Sequence, residues 1–403
     1  MTYKWITNNQ CTKIMSNNIS LGRLDLPIFI SLTFLAILSS CTQKPEKPNA
    51  SIDSGKLPVL NLAEQIEAKV PDTFTWNSIQ KKVTFIPLET TEASILSIPK
   101  IHYVDDGVIL INDMKTQSVL LFNSKGKCFS HVNHKGNGPE EYGYSSCIFF
   151  NPSDSTIQLY EGDYDKWITY TSKGEFLSSI STKKLFDGGV YFSKNNRIIG
   201  LNRIGKSRIS IFDNNFNYIE GYFPLDSTQG GWINGFSNTS HTKDILLYTN
   251  SVETDTVWVF SDTAVWPLLI VNKGKYVMPQ AERSDYFKAF LELNPTYPKD
   301  FHFDAFSHFV LMKYLYKGLI VAELWDLPSG KILSRCSLRN VVTKEKFSAG
   351  FAYTLPSGNV IHALPAYVTQ SKLVFVLSPD ELMDDIPGLK EDDNPVLMVI
   401  NLN

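Results

Sequence analysis

Cysteine is scarce in the part of this 403-residue chain that can fold: of five, Cys11 and Cys41 lie in or beside an N-terminal leader, which leaves Cys128, Cys147 and Cys336. An odd remainder excludes a complete disulfide framework, so stability has to come from apolar burial. Cys128 and Cys147 could pair in an oxidising compartment or simply pack as small apolar residues. A basic excess is missing too. The 38 Lys and Arg stand against 41 Asp and Glu, for a net charge of -3, which leaves no surplus to neutralise phosphates and excludes nucleic acid as an expected partner. The chain has no Gly-x-Ser-x-Gly elbow, phosphate loop or Gly-x-Gly-x-x-Gly behind a strand, so none of the common nucleophile or nucleotide signatures applies. His131 with His134, and His302 with His308, lack the third ligand and carboxylate spacing that would name a metal site, and no metal or cofactor is expected. Glu161-Gly162-Asp163-Tyr164-Asp165 is rich in oxygen ligands, yet its place in a hairpin turn accounts for that composition.

The longest apolar run, Leu26–Leu38 (LPIFISLTFLAIL), is well short of the roughly 20 residues of a membrane-spanning helix. Arg23 precedes it and Ser39-Ser40-Cys41 follows, the pattern of a signal peptide. Leu38-Ser39-Ser40-Cys41 resembles the bacterial lipobox, in which the cysteine thiol accepts a lipid. Residues 1–40 are therefore read as a signal peptide, with Met15 as a possible true start, and Cys41 as the lipidation site. Residues 41–78 open with a polar, Pro-punctuated stretch and are read as a tether, the membrane being a partner through the lipid.

Aromatic residues make up 12% of the chain and charged ones only 20%, a composition suited to many short strands between turns. A repeat confirms that pattern. Val119–Phe129, Trp167–Leu177 and Ile209–Ile219 align on Phe122, Tyr170 and Phe212, with Phe260 next, at spacings of 48, 42 and 48 residues. An apolar strand stands before each anchor at constant offset, which makes a hairpin, and Asp113, Glu161, Arg203 and Ser251 stand nine residues before the anchors as turn residues. Looser fifth and sixth hairpins follow: 309–316 with 319–325, and 360–364 with 373–377.

Periods near this value indicate propeller blades. The expected fold is all-β, a six-bladed β-propeller over residues 79–403, in which 83–88 and 396–402 pair within one blade to close the ring. One short helical insert is expected at 281–293, where Phe287, Phe290 and Leu291 have helical spacing and Pro295 follows. A β-sandwich would explain the alternation but not the regular hairpin offset.

Gly136-Asn137-Gly138-Pro139-Glu140-Glu141-Tyr142, together with Phe85–Thr90 at the start of the domain and Asp393–Leu397 at its end, resembles the GxGPxEY pattern of six-bladed, NHL-like propeller lipoproteins of gut Bacteroidetes. The resemblance covers essentially the whole mature chain. It implies a lipid-anchored protein of the cell envelope, at the outer membrane, with no reaction common to the family. Two readings of the motif stay open: the glycines and proline shape a loop that Glu140 and Tyr142 cap or pack, or Glu140, Glu141 and Tyr142 meet a ligand at the ring's mouth. Trp232 is a candidate for stacking on a sugar face. The functional expectation is a binding or interaction module for a glycan, peptide or envelope protein. A glycan hydrolase or lyase using two channel carboxylates is the alternative.

Overall fold

The computed structural model describes residues 57–402 apart from 106, 144–146, 162–164, 183–184, 186–188, 193–196, 203–204, 226–236, 242–244, 251–254, 262–263, 280–281, 283–288 and 290. The leader, Cys41 and Trp232 therefore lie outside the described residues. None of the described helices is long and apolar enough to cross a membrane.

Six four-strand antiparallel units follow one another along the chain. Blade 1 comprises Pro99–Asp105, Val108–Asp113, Ser118–Asn123 and Cys128–Val132, and blade 2 comprises Cys147–Asn151, Thr156–Glu161, Lys166–Thr171 and Phe176–Ser181. Blades 3, 4 and 5 begin at Gly189, Ser237 and Lys299. Blade 6 takes Tyr367–Val368, Lys372–Leu377 and Val396–Asn401 from the C-terminal end of the chain and Lys82–Pro87 from the N-terminal end. The first strands of blades 6 and 1, 1 and 2, 2 and 3, 4 and 5, and 5 and 6 lie against one another, which places them at the centre of a ring. Six apolar clusters, one for each pair of neighbouring blades, complete it. The fold is the six-bladed propeller expected.

The anchors Phe122, Tyr170, Phe212, Phe260 and Trp325 all sit on the third strand of a blade and are buried. Each must fill the wedge between two sheets, which is why an aromatic recurs there. The turn after the anchor repeats as well. Asn123 Oδ1 accepts the amides of Lys125 and Lys127, Thr171 Oγ1 those of Lys173 and Glu175, and Asp213 Oδ1 those of Asn215 and Asn217. Four residues after the first three anchors the backbone turns left-handed, at Gly126 (φ +79°), Gly174 (φ +87°) and Phe216 (φ +62°). Gly126 has a second constraint: a Cβ there would stand 1.9 Å from the carbonyl oxygen of Pro87, on the outermost strand of blade 6. Only glycine allows the blade 1 turn to lie on its neighbour's backbone.

Ring closure is as the sequence predicts, with register Lys82↔Asn401 through Pro87↔Val396. Asn394 locks the seam. Its Oδ1 accepts the Leu96 amide at 2.8 Å, and its Nδ2 donates to the Glu89 and Ser94 carbonyls at 2.7 and 2.8 Å. The Leu88 amide meets the Pro395 carbonyl, and the Glu89 carboxylate accepts the Cys128 amide of blade 1.

The sixth hairpin differs from expectation. Val360–Ala363 pairs with Phe351–Thr354 in a separate two-strand sheet, while Lys372–Leu377 pairs with Tyr367–Val368 and Val396–Asn401. Residues 365–371 turn the chain inwards to the ring centre, so the two apolar runs belong to different sheets. In the expected helical insert, Glu282, Ala289 and Leu291 have helical backbone, Glu292 and Leu293 are not helical, and the other positions lie outside the described residues. Cys128 and Cys147 are both present as thiols.

Residues 57–78, expected within the tether, pack on the propeller as a strap. Val59–Leu60 adds a parallel fifth strand to the outer edge of blade 4, and helix Leu62–Gln65 follows. Arg335 then grips the strap, donating from Nη1 to the Ala68 carbonyl at 2.8 Å and from Nη2 to the Gln65 carbonyl at 2.7 Å. Trp76, fully buried, ends the strap in the core of blades 5 and 6 and donates Nε1 to the Ala363 carbonyl at 2.9 Å. The sequence reading missed this because leucines spaced among charged residues carry no strand or helix period of useful length.

Candidate site between blades 1 and 2

The connection from blade 1 to blade 2, residues 133–146, carries the Gly-x-Gly-Pro-x-Glu-Tyr motif. Tyr142 is fully buried, and its hydroxyl lies 3.0 Å from the Gln117 carbonyl and 2.9 Å from the Val132 carbonyl, tying the connection to blade 1. Its backbone closes the loop: the Tyr142 amide donates to the His134 carbonyl and the Gly136 amide to the Tyr142 carbonyl. Glu141 turns inwards, its Oε2 accepting the Gly138 amide at 2.8 Å, and a Cβ on Gly136 would stand 2.0 Å from that same oxygen. The first glycine of the motif thus makes room for the glutamate.

Blade 2 holds the other side. Lys166 Nζ donates to the Gly138 carbonyl at 3.1 Å and to the Glu141 carbonyl at 2.9 Å, and lies 3.5 Å from the buried Glu161 carboxylate. Glu161 Oε1 accepts the Gly143 amide at 2.7 Å. The Tyr170 hydroxyl donates to the Glu140 carbonyl at 2.6 Å, and His134 stacks on the Tyr170 ring at 5.4 Å. Burial pushes both the Tyr142 and the Tyr170 hydroxyls well above the usual phenol range, the neighbouring glutamates adding to the effect at Tyr170. Both phenols stay protonated and act as fixed donors.

Of the motif's candidate ligand residues, Tyr142 and Glu141 are engaged within the clasp, whereas the Glu140 side chain is exposed beside it. Glu161 and Asp113, singled out by the repeat as turn residues, occupy equivalent strand ends and both are buried. Asp113 accepts the amides of Ser97, Ile98 and Lys115 and the Thr116 hydroxyl. Each carboxylate secures the connection that enters its own blade. Among the histidines, His302 lies 3.4 Å from Asp304 and His308 lies 3.7 Å from Asp326.

A second polar cluster was not legible in the sequence. Glu323, fully buried on blade 5, accepts the Tyr314 hydroxyl at 2.7 Å, Arg335 Nε at 2.7 Å and Nη2 at 2.6 Å, and Trp325 Nε1 at 2.8 Å. It orients the guanidinium that grips the strap. Alternation would have placed Glu323 on an inward face, but nothing marked Arg335 as its partner.

No curated protein matches the chain. Among solved structures, a Bacteroides fragilis protein named as exported superposes with a TM-score of 0.61 at 14% identity, covering 86% of this chain and 99% of that one. A Bacteroides vulgatus member of the DUF4221 family gives 0.43 at 12% identity, covering 80% and 98%. Virginiamycin B lyase from Staphylococcus aureus gives 0.38 at 11% identity, covering 79% and 99%. At these identities the likeness concerns the fold. Residues 57–401, the span from the strap to the closing strand, match the profile of a domain of unknown function, DUF4934, and the chain belongs to that family.

Proposed function

We propose that this chain is a lipid-anchored binding or interaction module of the cell envelope, held at the outer membrane through Cys41. Its recognition surface is the end of the ring that carries the connection between blades 1 and 2. The observation that carries this reading is where the strap begins. Val59 lies on the outer edge of blade 4, so a lipid upstream of it would hold the ring by its rim and leave the ring's ends to meet a glycan, a peptide or an envelope protein. The family resemblance and the exported relative from Bacteroides fragilis support the envelope setting.

Within the motif the reading divides the labour. Glu140 meets the ligand and Glu141 and Tyr142 position it; outside the motif, Trp232 is the candidate for stacking on a sugar face. Thermal shift of the unlipidated mature chain against glycans, peptides and divalent ions tests it. A ligand at a hundred times its dissociation constant stabilises by about 2.7 kcal/mol. Binding that Glu140→Ala removes, with the unliganded melting temperature unchanged, is the expected result. A ligand-induced shift indifferent to Glu140→Ala and to Trp232→Ala would defeat the assignment.

The second reading, a glycan hydrolase or lyase, has one observation in its favour. Asp300, on the innermost strand of blade 5, keeps a partly exposed carboxylate 3.9 Å from the buried Lys299 ammonium, where partial desolvation raises its pKa and the ammonium opposes the rise. It requires a second carboxylate on another blade, and is tested by product release from the same glycans with Asp300→Asn as the control.

A further inference from the structure

The hairpin of Phe351–Thr354 and Val360–Ala363 belongs to none of the blade sheets. Across its turn the Leu355 amide donates to the Asn359 carbonyl. Antiparallel pairing alternates in direction, so Ile361 and Ala363 turn their amides and carbonyls towards 351–354, and Val360 and His362 turn theirs to the opposite edge. Among the described residues no strand pairs that edge. Strand edges left open in folded proteins are ordinarily blunted by shortness, lysine, proline or a bulge. Val360–Ala363 is short, at 4 residues, but has no lysine, proline or bulge: its register is unbroken and its sequence is Val-Ile-His-Ala.

A cavity of about 750 Å³ follows this edge, lined by the four successive residues Asn359–His362. Its walls carry three carboxylates, Asp72 from the strap and Asp380 and Glu381 from the short 3-10 helix Pro379–Glu381, and no lysine or arginine is among the lining residues. Two apolar side chains stand open beside them, Phe347 at 49% and Val360 at 55% exposure. Ile361 and Ala363, on the other face of the strand, are packed in the core of blades 5 and 6 with Trp76, which fixes the edge in place.

We propose that this groove takes an extended, basic segment of a partner protein as a third strand of the hairpin. The segment's backbone pairs with Val360 and His362, and alternate lysine or arginine side chains reach the carboxylates while an apolar residue covers Phe347 and Val360. An open edge supplies affinity without choosing a sequence, and the acidic walls choose the charge. The site shares no residue with the clasp between blades 1 and 2, so it stands whether or not Glu140 meets a ligand.

The test uses the unlipidated mature chain and fluorescent ten-residue peptides alternating valine with lysine, read by anisotropy. The lysine peptide is expected to bind, with a glutamate-for-lysine version at least tenfold weaker. Asp380→Asn combined with Glu381→Gln, which keeps the helix cap, is expected to weaken the lysine peptide about tenfold with an unchanged circular dichroism spectrum. Strand addition is decided by N-methylation of the peptide: methyl groups on one alternate set of amides abolish binding and on the other set leave it. Equal effects of the two methylation patterns, equal affinity of the two charge versions, no binding, or dimerisation of the protein that blocks the peptide would each overturn the proposal.

Discussion

Asn394→Ala tests how the ring is held shut. Asn394 is 2% exposed, and its side chain satisfies the Leu96 amide and the Glu89 and Ser94 carbonyls in the connection from blade 6 to blade 1. Truncation does not orphan all three, because the Glu89 carbonyl also accepts the Ser94 hydroxyl at 2.7 Å. The Leu96 amide and the Ser94 carbonyl lose a partner inside a small polar cavity. At about 1–3 kcal/mol for each such group, with water able to recover part of it, the loss should be about 2–4 kcal/mol. Chemical denaturation, followed by tryptophan fluorescence and compared through midpoint and slope, measures this. Asn359→Ala is the reference. That residue is exposed and makes one side-chain hydrogen bond, to Asp384 at 3.1 Å, and its loss should stay within about 0.5 kcal/mol. Asn394→Asp should exceed Asn394→Ala, since a carboxylate there faces two carbonyls without a proton to donate. A cost at Asn394 below about 1 kcal/mol, or no larger than at Asn359, would refute the claim that this side chain secures the seam.

Three further outcomes follow from the geometry. Asp113 is opposed by burial but held below the usual carboxylate range by the Ile98, Thr116, Lys115 and Ser97 donors. Its contribution is therefore present above the unfolded value of about 3.9 and fades as pH falls through its lowered value; denaturation midpoints from pH 5 to pH 2.5 should fall more steeply for the native chain than for Asp113→Asn. Arg335→Ala frees the Ala68 and Gln65 carbonyls and leaves Glu323 buried without its cation, so a loss of about 3–5 kcal/mol is expected, with early proteolytic cleavage within residues 61–72; Arg335→Ala combined with Glu323→Gln should recover part of the loss. Burial pushes the Cys336 thiol up to about 12, so it should resist alkylation at pH 8 in the native chain and react at the ordinary rate once the chain is unfolded.

Much of the architecture was readable without coordinates because it repeats. A blade must fill the wedge beside it, and a bulky aromatic on the third strand does so each time; this is why Phe122, Tyr170, Phe212 and Phe260 disclosed the period. The turn after the anchor needs a side-chain acceptor and a left-handed residue, and Asn123 with Gly126 and Thr171 with Gly174 spell that out. Where the pattern lapses, so did the reading. The run 360–364 has the composition of a blade strand yet pairs outside the blades, because local alternation states which residues face a core and not which strand lies alongside.

The motif of residues 136–142 was likewise visible as a signal but not as an object. Composition could not say that Tyr142 and Glu141 turn inwards while Glu140 faces out, since that depends on Gln117, Lys166 and Tyr170, which come from two different blades. By itself the sequence determined the strand class, the number of blades and the pairing of the propeller's first and last strands, all of which follow from local periodicity and short-range steric rules. The tertiary structure decided the strap, the Glu323–Arg335 grip, the Asn394 seam and the open edge at Val360–Ala363, because each joins groups far apart in the chain, and hydrogen bonds and burial at that range are set by packing and leave no period behind.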